Sequence, residues 1–222
     1  MNRVAELHRP ETPDSTLADA APRTIRRRWT VAEYHRMGEV GLLRADERVE
    51  LIEGDVVAMA PIGPEHAGKV NYLNWVLHQR LNRFGTAMVS AQNPVVLDAH
   101  SEPEPDLAVL RWRDDFYQQR HPGPADVLLM IEVSDTTARA DRRIKAPLYA
   151  RHGIPEYWLV DLPGRRLEVY REPRAGRYRQ IAEYRTGSVA PLALPEAVID
   201  LAALFPAPPS ALEPPPAPAS RT

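Results

Sequence analysis

Val127-Leu128-Leu129-Met130-Ile131-Glu132-Val133 and, further along, Glu156-Tyr157-Trp158-Leu159-Val160-Asp161 decide the fold. Both runs are almost continuous in apolar residues, the pattern of strands covered on both faces. The segment between them, residues 138–151, reads as helix. Upstream, Val70, Leu73, Leu77, Leu81 and Phe84 recur at spacings of three or four, one apolar face of a helix closed by Gly85. Thr30-Val-Ala-Glu33 is a capping box that opens a short helix ending near Gly38. Residues 48–59 read as two strands about a turn at Glu53-Gly54-Asp55. Further strand-like pieces fall at 87–90, 94–97, 106–110 and 166–171. Strands and helices alternate, which makes the chain an α/β protein with a mixed sheet flanked by helices.

The compact unit is expected over residues 25–205 as a single domain without internal repeats. Residues 1–24 carry three prolines and no periodicity and are expected to form a flexible arm. Seven of the 23 prolines fall from Pro206 onward, so residues 206–222 read as a proline-rich tail too poor in apolar surface to fold. Cysteine is absent, which excludes a disulfide framework, thiolate-held zinc and cysteine nucleophiles. No apolar run reaches the ~18 residues that span a bilayer. The first 24 residues hold no apolar stretch of a secretory kind. A cytoplasmic location is therefore expected.

Formal net charge is −2. Binding of nucleic acid through bulk attraction calls for a basic excess, so any polyanion must be met by a local patch or by metal ions on acidic residues. Lys69 and Lys145 are the only lysines among 28 basic side chains. Neither a GxxxxGK[ST] loop nor a GxGxxG fingerprint is present, and a nucleotide cofactor is not expected.

Glu132 is the odd residue, a carboxylate in an apolar strand. It must be paired, protonated or bound to a cation, and an arginine partner would suffice. Asp106, after Pro105, opens a second apolar strand. Two acids at the ends of neighbouring strands offer hard oxygen ligands suited to Mg2+ or Mn2+. Lys145, 13 residues after Glu132 and in the next helical segment, is placed to orient a water or to stabilise charge on a phosphoryl group. An ion pair with Asp141, one helical turn earlier, is the simpler alternative. Pro147 either kinks this helix or marks its first turn.

Glu50-Leu-Ile-Glu-Gly54, then a His-containing helix with His66 ahead of it, Pro105-Asp106, Ile131-Glu-Val-Ser134, Asp141…Lys145…Tyr149 and Gly153-Ile-Pro-Glu-Tyr-Trp-Leu-Val-Asp161 occur in that order. In this the chain resembles the Uma-type putative restriction endonuclease family, a bacterial branch of the PD-(D/E)xK nucleases, over residues 29–205. The resemblance implies a restriction-endonuclease-like fold and a divalent-metal-dependent endonuclease that hydrolyses DNA phosphodiester bonds with Mg2+ or Mn2+. Asp106 takes the place of the motif's Asp and Glu132 that of its second acid. Ser134 stands where the motif lysine belongs, and Lys145 matches a lysine moved to the following helix. Glu50 and the Val133 carbonyl are implied as further metal ligands, and His66 as a residue of the cleft. By analogy with enzymes that cut two antiparallel strands, a homodimer is expected.

Arg139, Arg142 and Arg143 either hold phosphates or form a solvated helix face. Ser134 and His152 suggest a nucleophile and base, but no nucleophile elbow accompanies them. Tyr157 and Trp158 read as core. Two rival functions share these residues: a non-catalytic module that binds DNA or a protein partner, and a metal-dependent hydrolase of smaller phosphate esters.

Overall fold

A computed structural model describes residues 26–44, 46–81 and 87–207. The expected arm at 1–24, the helix end at Phe84 and Gly85, and the tail from 208 onward lie outside them. The capping box closes as read. Thr30 accepts from the Glu33 N–H, Glu33 reaches back to the Thr30 N–H, and helix α1 (Val31–Glu39) follows. Strands β1 (Val49–Ile52) and β2 (Asp55–Ala58) form an antiparallel hairpin. Helix α2 (Pro64–Leu81) buries Val70, Leu73, Leu77 and Leu81 along the face that the periodicity marks.

Six strands make the main sheet: β3 (Ala87–Ala91), β4 (Leu107–Arg111), β5 (Val127–Ser134), β6 (Glu156–Asp161), β7 (Arg166–Arg174) and β8 (Arg177–Tyr184), side by side in chain order. Only β5 and β6 pair in parallel, and the other neighbours are antiparallel. The sheet is thus mixed. The crossover that parallel pairing requires is the helical run α3 (Ala138–Ala140), a π-helical turn (Asp141–Lys145) and α4 (Ala146–Arg151).

Each face of the sheet has its own core. On one, α2 packs with Leu107, Val109, Leu129, Ile131, Val133 and Trp158. There too lie β9 (Ser188–Val189), β10 (Ile199–Asp200) and α5 (Leu201–Leu204). On the other, Leu148 and Tyr149 of α4 pack with Met130, Tyr157, Leu159 and Tyr178. Alternation along β5 sends Leu129, Ile131 and Val133 to the first face, and Met130 and Glu132 to the second. Tyr157 and Trp158 are fully buried, as core residues.

One strand expectation fails. Residues 94–97 are extended but join no sheet. Their N–H groups go instead to loop carbonyls, Val95 to Pro103, Val96 to Pro122 and Leu97 to Ser101. Strand β8 and the small elements after it are additions that the sequence did not announce.

Candidate active site

Strand register brings the two acids together. Leu107 pairs with Ile131, so one position further along Asp106 lies across from Glu132, both toward the α4 side. The hairpin β1–β2 covers this end of the sheet and contributes Glu50, and the start of α2 contributes His66. A cavity of about 520 Å3 opens between these parts, lined by Glu50, His66, Asp106, Glu132, Val133 and Lys145, among others.

Lys145 connects the acids. Its Nζ donates to Glu132 Oε1 at 2.9 Å and lies 3.2 Å from Glu50 Oε2. The Tyr149 hydroxyl donates to the same Glu132 oxygen at 2.7 Å. Burial pushes the Glu132 carboxyl up to about 8, and the Lys145 charge offsets only part of that. Burial alone would lower Lys145, but Glu132 and Glu50 outweigh it and hold the ammonium above its ordinary range. The two acids thus favour the charged form of Lys145.

Asp106 Oδ2 accepts from the Val133 N–H at 2.9 Å and lies 3.1 Å from His66 Nε2. Its Oδ1 faces the Gln92 amide at 3.5 Å. The hydrogen bond to Asp106 raises the His66 imidazole above its usual value against the opposing effect of burial, and the Val133 carbonyl acts in the same direction. Glu50 Oε2 also accepts from the Glu104 N–H at 3.2 Å.

The donor set suits a hard divalent ion, being carboxylate and carbonyl oxygen throughout. Asp106 and Glu132 each commit one oxygen firmly, Oδ2 and Oε1, while Asp106 Oδ1, with only the long Gln92 contact, and Glu132 Oε2 remain for a ligand. Among the described residues no three His, Cys, Asp or Glu side chains converge as a ready-made metal centre. The Lys145 ammonium already stands between Glu132 and Glu50. The residues thus fit such an ion in chemical type, with Lys145 holding the carboxylates near one another.

Other candidates are placed elsewhere. Ser134 is fully buried and donates to Asp141 Oδ2 at 2.5 Å, alongside Thr137 at 2.8 Å. It anchors the helix rather than facing the cavity. Arg142 is turned away from phosphate duty because Glu168 and Asp161 bind its guanidinium from the neighbouring strands. Arg139 and Arg143 are exposed on the helix, outside the cavity lining. His152 pairs with Asp98 at 3.0 Å and with the Leu148 carbonyl, away from Ser134, so the nucleophile-base reading fails. Two participants went unassigned in the sequence. Tyr149 was signalled by its four-residue spacing from Lys145, which puts both on one helix face. Arg48, on the cavity wall, carried no local signal.

Among solved structures the chain is similar to a putative nuclease belonging to DUF820 from Anabaena variabilis ATCC 29413. The two share 16% identity over 79% of this chain and 97% of that one, with a TM-score of 0.63, a likeness of fold. No curated protein matches. A family model described as Uma2, putative restriction endonuclease, matches residues 31–202. That span runs from the start of α1 to the start of α5 and includes every residue of the cavity, and the chain belongs to the Uma2 family.

Proposed function

We propose that the chain is a divalent-metal-dependent endonuclease that hydrolyses phosphodiester bonds in DNA, with Asp106 and Glu132 as its metal-holding acids and Lys145 as its catalytic cation. One observation carries the reading. A strand-opening aspartate, a mid-strand glutamate and a helix lysine, brought from three elements, line one cavity with Lys145 Nζ 2.9 Å from Glu132. Glu50 and the Val133 carbonyl are the supporting ligands, and the expected ion is Mg2+ or Mn2+.

Such an ion, when bound, neutralises charge on the phosphate and acidifies a water. The chain's own residues do the rest. Asp106 is fixed by the Val133 N–H, so its free oxygen keeps one direction. Glu132 is fixed by Tyr149 and Lys145 together. Lys145, which remains protonated, orients a water by donating to it or stabilises negative charge on the phosphoryl oxygens. His66 contacts the same Asp106 oxygen as the Val133 N–H.

Supercoiled plasmid and single-stranded DNA, incubated with Mg2+ or Mn2+, test this. Wild type converts plasmid to nicked or linear forms, while Asp106→Asn, Glu132→Gln and Lys145→Ala each lose activity by about 100-fold or more, on the scale of an electrostatic group removed from a reaction centre. Melting curves establish that each variant is folded. Equal cutting by all three folded variants ends the assignment. Cutting of nucleotides but not plasmid shifts it to a hydrolase of smaller phosphate esters. DNA binding with no cutting by wild type in either metal leaves a binding module.

A further inference from the structure

Beside the catalytic cavity lies a second, more open groove of about 670 Å3 between α1 and β1, and Arg48 lines both. Among the described residues its guanidinium makes no hydrogen bond. The acid paired with it, Glu104, is 3.9 Å away, too far for one. Neighbouring guanidiniums are committed, Arg44 of the groove to Asp46, Arg26 to Asp55 and Arg151 to Glu53. Seven carboxylates line the catalytic cavity against Arg48 and Lys145, and Lys145 is buried between Glu132 and Glu50, so a strand reaches it only inside the cavity. A phosphate entering from the groove therefore meets Arg48 before it reaches Lys145.

The groove adds Glu39, Glu47 and Glu104 to these acids, but rings and apolar side chains stand among the charges. In the groove, Tyr34 and His35 lie with ring centroids 6.0 Å apart, and His35 and His121 stand edge to face at 6.3 Å. His35 and His121 are exposed. At the cavity, Val57, Ile62 and Ile144 are exposed apolar side chains. An uninterrupted duplex keeps its bases stacked and is gripped through many phosphates, a bulk attraction that net charge −2 does not supply. A single strand presents unstacked bases, for which rings and apolar walls are suitable platforms beside a few phosphate contacts.

We propose that the two hollows form one path for a single DNA strand, with Arg48 holding a backbone phosphate where they meet. The proposal takes the nuclease reading for what happens inside the cavity, but its test reads binding. Fluorescence anisotropy with a labelled oligonucleotide of about 16 nucleotides, single-stranded or as blunt duplex, is measured in Ca2+ across a salt series. The single strand binds wild type about tenfold or more tighter than the duplex. Arg48→Gln loses roughly tenfold in single-strand affinity, and its salt slope flattens by about 0.7, the loss of one phosphate contact. Arg48→Lys keeps the slope. Where Arg48→Gln does not fold, His121→Ala carries the test, with affinity lowered about fivefold or more by the missing stacking partner. Wild-type affinity and slope in folded Arg48→Gln, unchanged affinity in His121→Ala, or equal binding of duplex overturns the path. A strand bound through Arg48 yet cut in no metal removes the nuclease reading alone. Cutting whose KM and kcat ignore Arg48→Gln, with unchanged binding, removes the path alone.

Discussion

Glu132 stands among apolar neighbours on its strand and still faces a cavity, and its energetics follow from that position. Its carboxylate has one cation, Lys145, and one neutral donor, Tyr149, in an environment that otherwise favours the protonated acid. Burial raises it from an ordinary value near 4.5 to about 8, so between those values the folded chain holds a proton that the unfolded chain has released. The contribution of Glu132 to stability therefore falls as pH rises through that window. Lys145 moves upward from its own higher ordinary value and stays charged throughout. Urea unfolding from pH 5 to 9 should show wild type losing stability relative to Glu132→Gln as pH rises, by no more than about 1.4 kcal/mol per pH unit, the slope for one proton. A gap between the two that stays constant, or that moves in wild type's favour as pH rises, contradicts this account. The same proton competes with a cation, so metal affinity at the site should rise with pH.

The helical run from 138 to 151 explains how a lysine on another element replaces one at position 134. Residue 134 is a serine whose hydroxyl binds Asp141 and pins the start of the run to the end of β5. From Asp141 the chain makes a π turn, with the Ala146 N–H reaching the Asp141 carbonyl five residues back. Pro147 follows at once. Its ring would press on the carbonyl four residues earlier in a regular α-helix, and the wider turn relieves that crowding. Past the turn, Lys145 and Tyr149 meet Glu132 from one face. Pro147→Ala removes that crowding and should let the turn tighten to α periodicity; with every residue retained, the Asp141 and Lys145 ends then rotate by up to about 100° relative to each other. DNA cutting should then fall by about 100-fold or more with helix content by circular dichroism nearly unchanged. Retained cutting would show that the π turn is incidental to the placement of Lys145.

Legibility in the sequence divides along similar lines. Strand β5 could be read because burial on both faces leaves a continuous apolar run, and α2 because one face of it is buried. Strand β8, Arg177-Tyr-Arg-Gln-Ile-Ala-Glu-Tyr184, could not, since as an outer strand it buries only Tyr178. Residues 94–97 carry strand chemistry but have no neighbouring strand. Acids in apolar strands drew attention to Asp106 and Glu132. The fate of Arg142 depended on Glu168, 26 residues away on β7, and no local pattern reports such a partner.

At the scale of the whole molecule, the cavity is assembled from parts of unequal firmness. Strands β5 and β6 lie at the centre of a six-stranded sheet with cores on both faces. The hairpin β1–β2 is a separate two-stranded sheet, an arrangement with little stability of its own. It is tied down by the mutual Leu51 and Glu102 backbone bonds, by Gly54 donating to the His100 carbonyl and by Trp29 donating to Gly54. Arg151 adds an ion pair to Glu53. Gly54 has φ +83°, and a Cβ there would fall 2.5 Å from Cβ of Arg28, so the turn admits only glycine. Yet this lightly held hairpin carries Glu50, and Arg48 immediately precedes it. Amide exchange should accordingly be faster in β1–β2 than in β5 and β6, since local opening follows the sparsest packing. If Glu50 joins the ligand set, Mg2+ at about ten times its Kd should slow exchange in the hairpin by up to roughly tenfold, together with β4 and β5. In Glu50→Gln the hairpin should lose that protection while β4 and β5 retain theirs. Protection confined to β4 and β5 in wild type would take Glu50 out of the ligand set and leave Asp106 and Glu132 to hold the ion from the rigid sheet alone.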